Sequence, residues 1–320
     1  MRDTILFGDC RETLKEFDEK ARMCVTSPPY YGLRDYGGED NQIGQEQTPE
    51  EFIEQLVSVF REVKNVLTDD GTCWVNLGDS YYNYRPGKGQ ALVKQSVSKT
   101  KQDLPDKCAK RANKLEGLKE KDLIGIPWMF AFAMRNDGWY LRQDIIWHKP
   151  NPMPESVKDR CTKSHEYIFL FSKNKKYFYD NEAIKEPAKD WGTRDRTNGK
   201  YHNEGTGLQP HSGLTKSYPT KNKRSVWSVT NKPYREAHFA TYPPDLIEPC
   251  ILAGSEVGDI VLDPFMGSGT TAAVAKALGR DYIGCELHED YGNLIQRRVE
   301  DYKPVQEVAQ EPCINILDII

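Results

Sequence analysis

One stretch near the end of the chain constrains the fold more than any other. A short apolar run at residues 260–262 leads directly into Asp-Pro-Phe-Met-Gly-Ser-Gly-Thr-Thr at residues 263–271. The glycines Gly267 and Gly269 allow a tight turn free of side chains, and a helical pattern begins after them. A strand, a glycine turn and a helix N-terminus in this order bind nucleotide-like ligands in open α/β sheets. We therefore expect an α/β sheet with a ligand site of this kind at its edge.

The rest of the chain fits the same fold class. Short apolar runs that are often β-branched are typical of strands. They occur at residues 4–7, 22–26, 72–77, 141–147, 166–172, 259–262 and 281–285. Helical patterns lie between several of them, and the longest begins with a capping box at Thr48 and Glu51 and is expected to continue to Gly71. Strands that alternate with helices predict a mostly parallel sheet covered on both faces.

A second stretch, near the start of the chain, has an unusual backbone. It reads Thr-Ser-Pro-Pro-Tyr at residues 26–30, and the strand before it delivers it to the same sheet edge as the glycine turn. Because successive prolines fix φ and lack N–H groups, the carbonyls of Ser27 and Pro28 point outward beside the Ser27 hydroxyl. Such acceptors can bind the N–H groups of a ligand, and the Tyr30 ring offers an aromatic face beside them. In isolation, the same residues also fit a polyproline ligand or a simple turn.

Together and in this order, the two stretches resemble the signature motifs of amino-methylating DNA methyltransferases of the permuted β class. The resemblance extends from Asp9 to about Arg298 and implies a Rossmann-like α/β fold that uses S-adenosylmethionine. It implies direct methyl transfer to an exocyclic amine, without a covalent enzyme intermediate. The catalytic residues that it implies are Ser27, Pro28, Pro29 and Tyr30. Serine at the first motif position favours N4 of cytosine, and adenine N6 is the alternative, since adenine enzymes mostly carry Asp or Asn there.

The resemblance also implies a set of residues around the cofactor. Phe265 would lie near the methionine end, and Asp263 would face its ammonium group. Glu286 ends the next strand, where its carboxylate can accept both hydrogen bonds of a ribose diol. The predicted cofactor-binding residues are Asp9, His238, Thr241, Pro243, Asp263, Phe265, Gly267, Ser268, Gly269, Thr270, Thr271 and Glu286. Asp9 also fits an ordinary turn or cap, His238 also fits a loop histidine, and Tyr242 stands where the family usually has phenylalanine.

Two other activities are suggested by single features of the sequence. The spacing of Gly267, Gly269 and Ala272 also fits a dinucleotide fingerprint. An NAD-dependent oxidoreductase, however, has no use for the proline motif at residues 26–30. Methylation of cytosine C5 needs a cysteine nucleophile, typically in Pro-Cys-Gln, whereas Cys250 follows Pro249 inside a helical pattern. We therefore expect Cys250 to lie in the core.

Two segments rich in Lys and Arg interrupt the alternation of strands and helices. The second, residues 181–235, interleaves its cations with Trp191, Tyr201, Tyr218, Trp227 and Tyr234, a mixture suited to phosphate contact and base stacking. We predict a target-recognition region there, with a solvated loop as the alternative. The predicted DNA contacts are Lys216, Lys221, Lys223, Arg224 and Arg235. The first basic segment, residues 84–120, fits an insertion or a loop equally well.

The remaining segments would form the catalytic domain, at residues 1–83, 121–180 and 236–303, followed by a tail at 304–320. Residues 76–80 resemble a family segment that lines the base pocket, which makes Asp79 a predicted base contact or else a turn former. Residues 142–150, including Trp147 and Lys149, resemble a strand and loop near that pocket, and no catalytic role is assigned to them.

Composition limits the class and the location. No apolar run approaches the roughly 18 residues of a membrane span, and charge follows Met1 too soon for a signal peptide. We therefore expect a cytoplasmic protein without a membrane, associated with the nucleoid through DNA. The 8 cysteines are scattered, with no ligand spacing, and predict free thiols and no metal site. The implied partner is double-stranded DNA, and a cognate restriction endonuclease and a homodimer stay open.

Overall fold

A twisted sheet lies at the centre of the computed structural model, which describes residues 2–32, 42–82, 115–188, 219–231 and 242–303. Its strands are, in chain order, β1 (Thr4–Phe7), β2 (Ala21–Thr26), β3 (Leu67–Leu77), β4 (Tyr140–His148), β5 (His165–Ser172), β6 (Glu186–Pro187), β7 (Thr220–Lys221), β8 (Val226–Ser228), β9 (Ile260–Asp263) and β10 (Asp281–Glu286). Among the described residues, the main sheet has 8 strands in the order β1-β10-β9-β2-β3-β5-β4-β8, and β6 pairs with β7 in a separate sheet. All the predicted strands are present.

Strand direction decides where the loops meet. Strand β5 is antiparallel to both β3 and β4, and every other pairing in the main sheet is parallel. The expectation of a mostly parallel sheet is therefore confirmed. Because β1, β2, β3, β4, β9 and β10 all point the same way, their carboxyl ends share one edge, which we call the carboxyl edge. The antiparallel β5 begins at that edge, at His165.

Helices cover both faces of the sheet. They are α1 (Cys10–Thr13), α2 (Pro49–Val66), α3 (Ile126–Asn136), α4 (Pro244–Gly254), α5 (Thr270–Ala277) and α6 (Gly292–Asp301). The side chains of β2 alternate between two cores, since Cys24 packs with residues of α2 and α3 while Met23 and Val25 pack with residues of α4 and α5. Among the described residues, no helix has the length and apolar character needed to cross a membrane.

The start of α2 was predicted correctly and its end was not. Thr48 and Glu51 form the expected capping box. The helix stops at Val66, however, rather than continuing to Gly71, because Leu67 takes an extended conformation and pairs with Ala21. Residues 67–71 therefore belong to β3, and pairing with β2 overrides the helical apolar spacing.

One part of the predicted target-recognition region belongs to the sheet. Strand β8 pairs with β4 in parallel and extends the edge of the main sheet. Trp227, which we had grouped with base-stacking aromatics, is only 6% exposed and packs in the core. That prediction for Trp227 is wrong, because the residue at the centre of a paired edge strand points into the protein. The other four aromatic residues of that group lie outside the described residues.

Candidate active site

The two sequence motifs lie side by side at the carboxyl edge. Strands β2 and β9 are neighbours, with Met23 opposite Val261 and Cys24 opposite Leu262. Where these strands end, the Thr26 hydroxyl donates a hydrogen bond of 2.5 Å to Oδ1 of Asp263. This bond joins the first residue of the proline motif to the first residue of the glycine motif. The fold therefore brings the predicted amine site and the predicted cofactor site together.

Asp263 is buried among neutral donors. The residue is only 1% exposed. Its carboxylate oxygens accept hydrogen bonds from the Thr271 hydroxyl at 2.5 Å, the Tyr242 hydroxyl at 3.0 Å and the Phe265 backbone N–H at 3.0 Å. Burial raises the pKa of this carboxyl, although the hydrogen bonds oppose the shift. Asp263 thus braces the motif from inside. Its approach to the cofactor ammonium group stays a prediction.

The glycine turn has the backbone that its sequence predicts. Gly267 and Gly269 have φ values of 52° and 82°, in the left-handed region that favours glycine. A Cβ on Gly269 would lie 2.9 Å from Cγ2 of Ile295 on α6, so that position also serves packing. Beside Gly267 the space is open, since an added Cβ would have only the Phe265 carbonyl oxygen, at 3.9 Å, within 4 Å among the described residues outside its chain neighbours. Gly267 is therefore free to face a ligand.

Glu286 lies next to this turn, at the end of β10. Its carboxylate accepts 2.8 Å and 3.1 Å hydrogen bonds from the backbone N–H groups of Gly267 and His288. Burial raises its pKa, with those two bonds opposing. The predicted ribose acceptor and the predicted glycine turn are thus in direct contact.

Other predicted cofactor residues serve local structure as well. Asp9 caps α1 by accepting from the backbone N–H of Arg11, and hydrogen bonds from the Arg11 side chain hold the pKa of Asp9 below its usual value despite its burial. Ser268 is buried and accepts from the Arg298 guanidinium. Thr270 and Thr271 are buried in the first turn of α5, and Pro243 precedes α4. His238 and Thr241 lie outside the described residues.

The amine motif forms a polar network with β3 and β5. The Ser27 hydroxyl donates to Oδ1 of Asn76, at 3.3 Å. The Tyr30 hydroxyl lies 2.7 Å from Oε2 of Glu166 and 3.3 Å from the same Asn76 oxygen. A serine hydroxyl can accept as well as donate, so the Ser27 oxygen offers an acceptor beside this network. Pro28 is buried and Pro29 is half-buried between these two residues.

The Tyr30 ring is seated against a glycine. A Cβ on Gly78 would approach Cε2 of Tyr30 to 2.7 Å, a distance that side chains do not adopt. Burial, followed by the nearby carboxylate of Glu166, raises the pKa of the Tyr30 phenol well above its ordinary value. Tyr30 is therefore a neutral aromatic ring with its hydroxyl bound inside the protein.

Two polar residues of this network were missed by sequence reasoning. The sequence predicts only that Glu166 lies in a strand, and it predicts no role for Lys149. In the structure, Lys149 forms an ion pair with Glu166, with side chains 17% and 14% exposed, and its ammonium lies 4.1 Å from the Trp147 ring centre. The signal in the sequence was a carboxylate near the start of an apolar strand. It indicates a position at the carboxyl edge only once β5 is known to be antiparallel to its neighbours.

Asp79 closes the other side of this region. Its carboxylate accepts from the backbone N–H groups of Ser80, Gly125 and Ile126, at 2.9 to 3.1 Å, and so caps α3. The Lys163 ammonium donates to its backbone carbonyl, at 2.6 Å. Asp79 therefore has a structural role, as in the turn-forming alternative, and it also caps α3, which the sequence did not predict; its contact with a base stays a prediction.

The predicted DNA contacts are only partly described. Lys221 and Lys223 flank Glu186, at 3.7 and 3.5 Å, and Arg224 is exposed. Lys216 and Arg235 lie outside the described residues.

The position of Cys250 bears on cytosine C5 chemistry. Cys250 is fully buried on α4, as expected, and burial raises its thiol pKa. The described cysteines are free thiols. Within the described ranges, no group of three His, Cys, Asp or Glu side chains could hold a metal ion.

Comparison with known proteins agrees with this geometry. A family model described as DNA methylase matches residues 21–297, a span that contains both motifs. The Type II methyltransferase M.SmaI of Serratia marcescens is 46% identical over 301 residues, which cover 92% of this chain and 90% of that protein.

Solved structures share the fold. The PvuII DNA methyltransferase (cytosine-N4-specific) superposes with a TM-score of 0.58 at 18% identity, covering 95% of this chain and 94% of that one. The complex of M1.HpyAVI with SAM has a TM-score of 0.53 at 18% identity, covering 92% of this chain and 98% of that one. The Rossmann-like α/β fold is therefore confirmed. Because the family model and a close relative both span most of the sequence, this chain belongs to the DNA methylase family of N6 and N4 methyltransferases.

Proposed function

We propose that this DNA methyltransferase is a β-class enzyme that transfers methyl from S-adenosylmethionine to the exocyclic N4 of a cytosine flipped out of duplex DNA. The observation that carries the proposal is the junction of the two motifs at one edge, where Thr26 is hydrogen bonded to Asp263. An acceptor-rich motif beside a glycine turn is the arrangement that transfer between a nucleotide-like donor and an amine requires.

The chain's own residues supply orientation rather than a strong base. S-adenosylmethionine supplies an electrophilic methyl group on a sulfonium. The Ser27 hydroxyl and the backbone carbonyls of Ser27 and Pro28 accept from the amine N–H bonds and so turn its lone pair toward that methyl group. With the cofactor bound, the N–CH₃ bond would form as the C–S bond breaks, and the surplus amine proton would pass to solvent. Tyr30 stacks on the base.

The cofactor half of the site would bind by shape and charge. The open backbone at Gly267 admits the ligand, and Glu286 accepts from its ribose diol. Phe265 and the segment around Pro243, with His238 and Thr241, would enclose the methionine end. Asp9 would receive the adenine amino group from the neighbouring β1 loop.

Cytosine is the preferred base because Ser27 and its partner Asn76 are both neutral. An aspartate at the motif position would bring negative charge beside the electron-rich pyrimidine edge. Adenine N6 is the alternative, since the same backbone carbonyls could hold an adenine amine.

Nucleoside analysis tests the proposal. The protein is incubated with mixed-sequence duplex DNA and S-adenosylmethionine, the DNA is digested, and methylated nucleosides are identified by mass spectrometry. We expect N4-methylcytosine. N6-methyladenine alone would overturn the base assignment, and the absence of any methylated base would overturn the proposed activity.

Sequence recognition is proposed for residues 181–235 apart from β8, which belongs to the main sheet, with further contacts from 84–120 and with Asp79 near the base. The other segments, 1–83, 121–180 and 236–303, would form the catalytic domain. Exchange of 181–235 for the matching segment of a relative should change the methylated sequence, and DNA affinity should fall steeply with salt. An unchanged recognition sequence would place recognition elsewhere. The Type II relatives favour a restriction–modification setting with a partner endonuclease that cuts the same sequence.

A further inference from the structure

We propose that Glu166 and Lys149 form a positioning pair that fixes the Tyr30 ring for the target base. The inference rests on the proposed function, because it concerns how the base is held during transfer. It extends that function to residues on β4 and β5, outside both motifs.

The first step is the attachment of Tyr30. Its hydroxyl donates to Oε2 of Glu166, at 2.7 Å, while its ring edge lies against the backbone of Gly78. A ring held at its tip and along one edge cannot rotate about χ2 or swing about χ1 without breaking a contact. The Tyr30 face is therefore set at one angle before a base arrives.

The second step is the charge on the acceptor. The Glu166 side chain is only 14% exposed, and a carboxylate removed from water is costly unless it is paired and hydrogen bonded. Lys149 supplies the opposite charge, and the Asn76 amide donates to Oε2 of Glu166 at 3.3 Å. With Tyr30 as the further donor, the carboxylate is both neutralised and held in place.

The third step is the route of the pair to the proline motif. Strand β5 runs against its neighbours, so its first residues lie at the carboxyl edge, with Tyr167 opposite Leu77 of β3 and Glu166 opposite Trp147 of β4. Lys149 is the first residue after β4. A pair serving only sheet stability would need no bond to the motif tyrosine, whereas Glu166 binds its hydroxyl directly.

The test is a double-mutant cycle on methyl transfer. Glu166→Gln keeps an acceptor and removes the charge, and Tyr30→Phe removes the hydroxyl and keeps the ring. We expect each to lower kcat at saturating DNA by about 10- to 100-fold, the scale of a small misplacement of a reacting group. The affinity for S-adenosylhomocysteine, measured by calorimetry, should change less than about twofold, and the double variant should be no worse than the worse single variant.

Glu12→Gln is the matched control, because Glu12 lies on α1 and its carboxylate is paired with Lys15 but is 72% exposed. It should leave kcat unchanged. Wild-type kcat in Glu166→Gln, or losses that add fully in the double variant, would overturn the inference. A wild-type protein that methylates no duplex would instead overturn the proposed function, and the inference with it.

A variant that removes both charges distinguishes a loss of Tyr30 positioning from a loss of stability. Lys149→Met with Glu166→Met replaces both members of the pair by apolar side chains of similar length. If its melting temperature matches that of the wild type while kcat stays low, the pair positions Tyr30. If both return to wild-type values, the pair has no positioning role.

Discussion

The cofactor half and the amine half of the carboxyl edge each hold a carboxylate with little solvent exposure, and they stabilise it in different ways. Asp263 is surrounded by neutral donors, namely three hydroxyls and one backbone N–H. Glu166 has neutral donors too, but it also has the ammonium group of Lys149. The first carboxylate braces two motifs and the second is proposed to hold a ring.

The environment of Asp263 shows in the pKa of its carboxyl. Burial raises the pKa of Asp263 from the ordinary value of 3.8, and its partners among the described residues are neutral, so its charged form is the costly one. The charge of Glu166 is compensated by Lys149. Neutral donors are sufficient to hold Asp263 between the two motifs. The charged pair of Glu166 and Lys149 instead gives a fixed acceptor near the site where a base would enter. The two halves should therefore fail separately, and each prediction below breaks or sharpens that separation.

The largest effect should come from Gly267→Val on the cofactor side. The space beside Gly267 is open, so the new side chain would meet the ligand rather than the protein, and affinity for S-adenosylhomocysteine should fall at least about 100-fold. Gly258→Val is the control, since Gly258 also has a positive φ and no neighbour within 4 Å of an added Cβ, but lies away from the edge. Calorimetry on both variants separates ligand blocking from backbone strain. Equal affinity in both would remove Gly267 from the cofactor site.

A smaller loss is expected for Glu286→Ala. Removal of charge-assisted hydrogen bonds to a ribose diol should cost about 1.5 to 3 kcal/mol of cofactor binding. Titration with S-adenosylmethionine and, in parallel, with NAD measures it, and NAD should show no saturable binding to the wild type. Saturable NAD binding without S-adenosylmethionine binding would favour an oxidoreductase.

Asp263→Asn tests the pH dependence of stability that follows from the raised pKa of Asp263. A carboxyl whose folded pKa is raised stabilises the fold below its unfolded pKa, and that contribution is lost as the pH rises through the folded pKa. The unfolding free energy of the wild type minus that of the variant should therefore fall as the pH increases from about 4, by at most about 1.4 kcal/mol per pH unit. Urea unfolding across this range measures the difference. A constant or rising difference would contradict the assigned environment of Asp263.

The smallest effect belongs to Tyr242→Phe. The Tyr242 hydroxyl donates to Asp263 and also contacts the Thr271 hydroxyl, so its removal should cost about 1 kcal/mol of stability. It restores the aromatic residue that is usual at this position in similar enzymes, and methyl transfer should persist. Chemical denaturation and a transfer assay check the two outcomes. A large loss of activity with unchanged stability would move Tyr242 from bracing to ligand binding.

Local signals predicted most of the fold and the position of both motifs at the carboxyl edge. The capping box at Thr48, the strand before residue 26 and the glycine turn are each encoded within a few neighbouring residues, and each was found as predicted. Glu166 could not be placed, because its position depends on the direction of β5, which is set by distant pairing with β3 and β4. The end of α2 failed for the same reason, since Leu67 pairs with Ala21.

The most direct test of the central claim is methyl transfer by Tyr30→Ala, measured with tritiated S-adenosylmethionine while calorimetry follows S-adenosylhomocysteine. Tyr30 belongs to the amine half, so transfer should fall by at least about 100-fold while cofactor affinity stays within about twofold of the wild type. Ser27→Ala should behave in the same way. Full transfer activity in both variants, or loss of cofactor binding together with activity, would contradict an edge built from two separable halves.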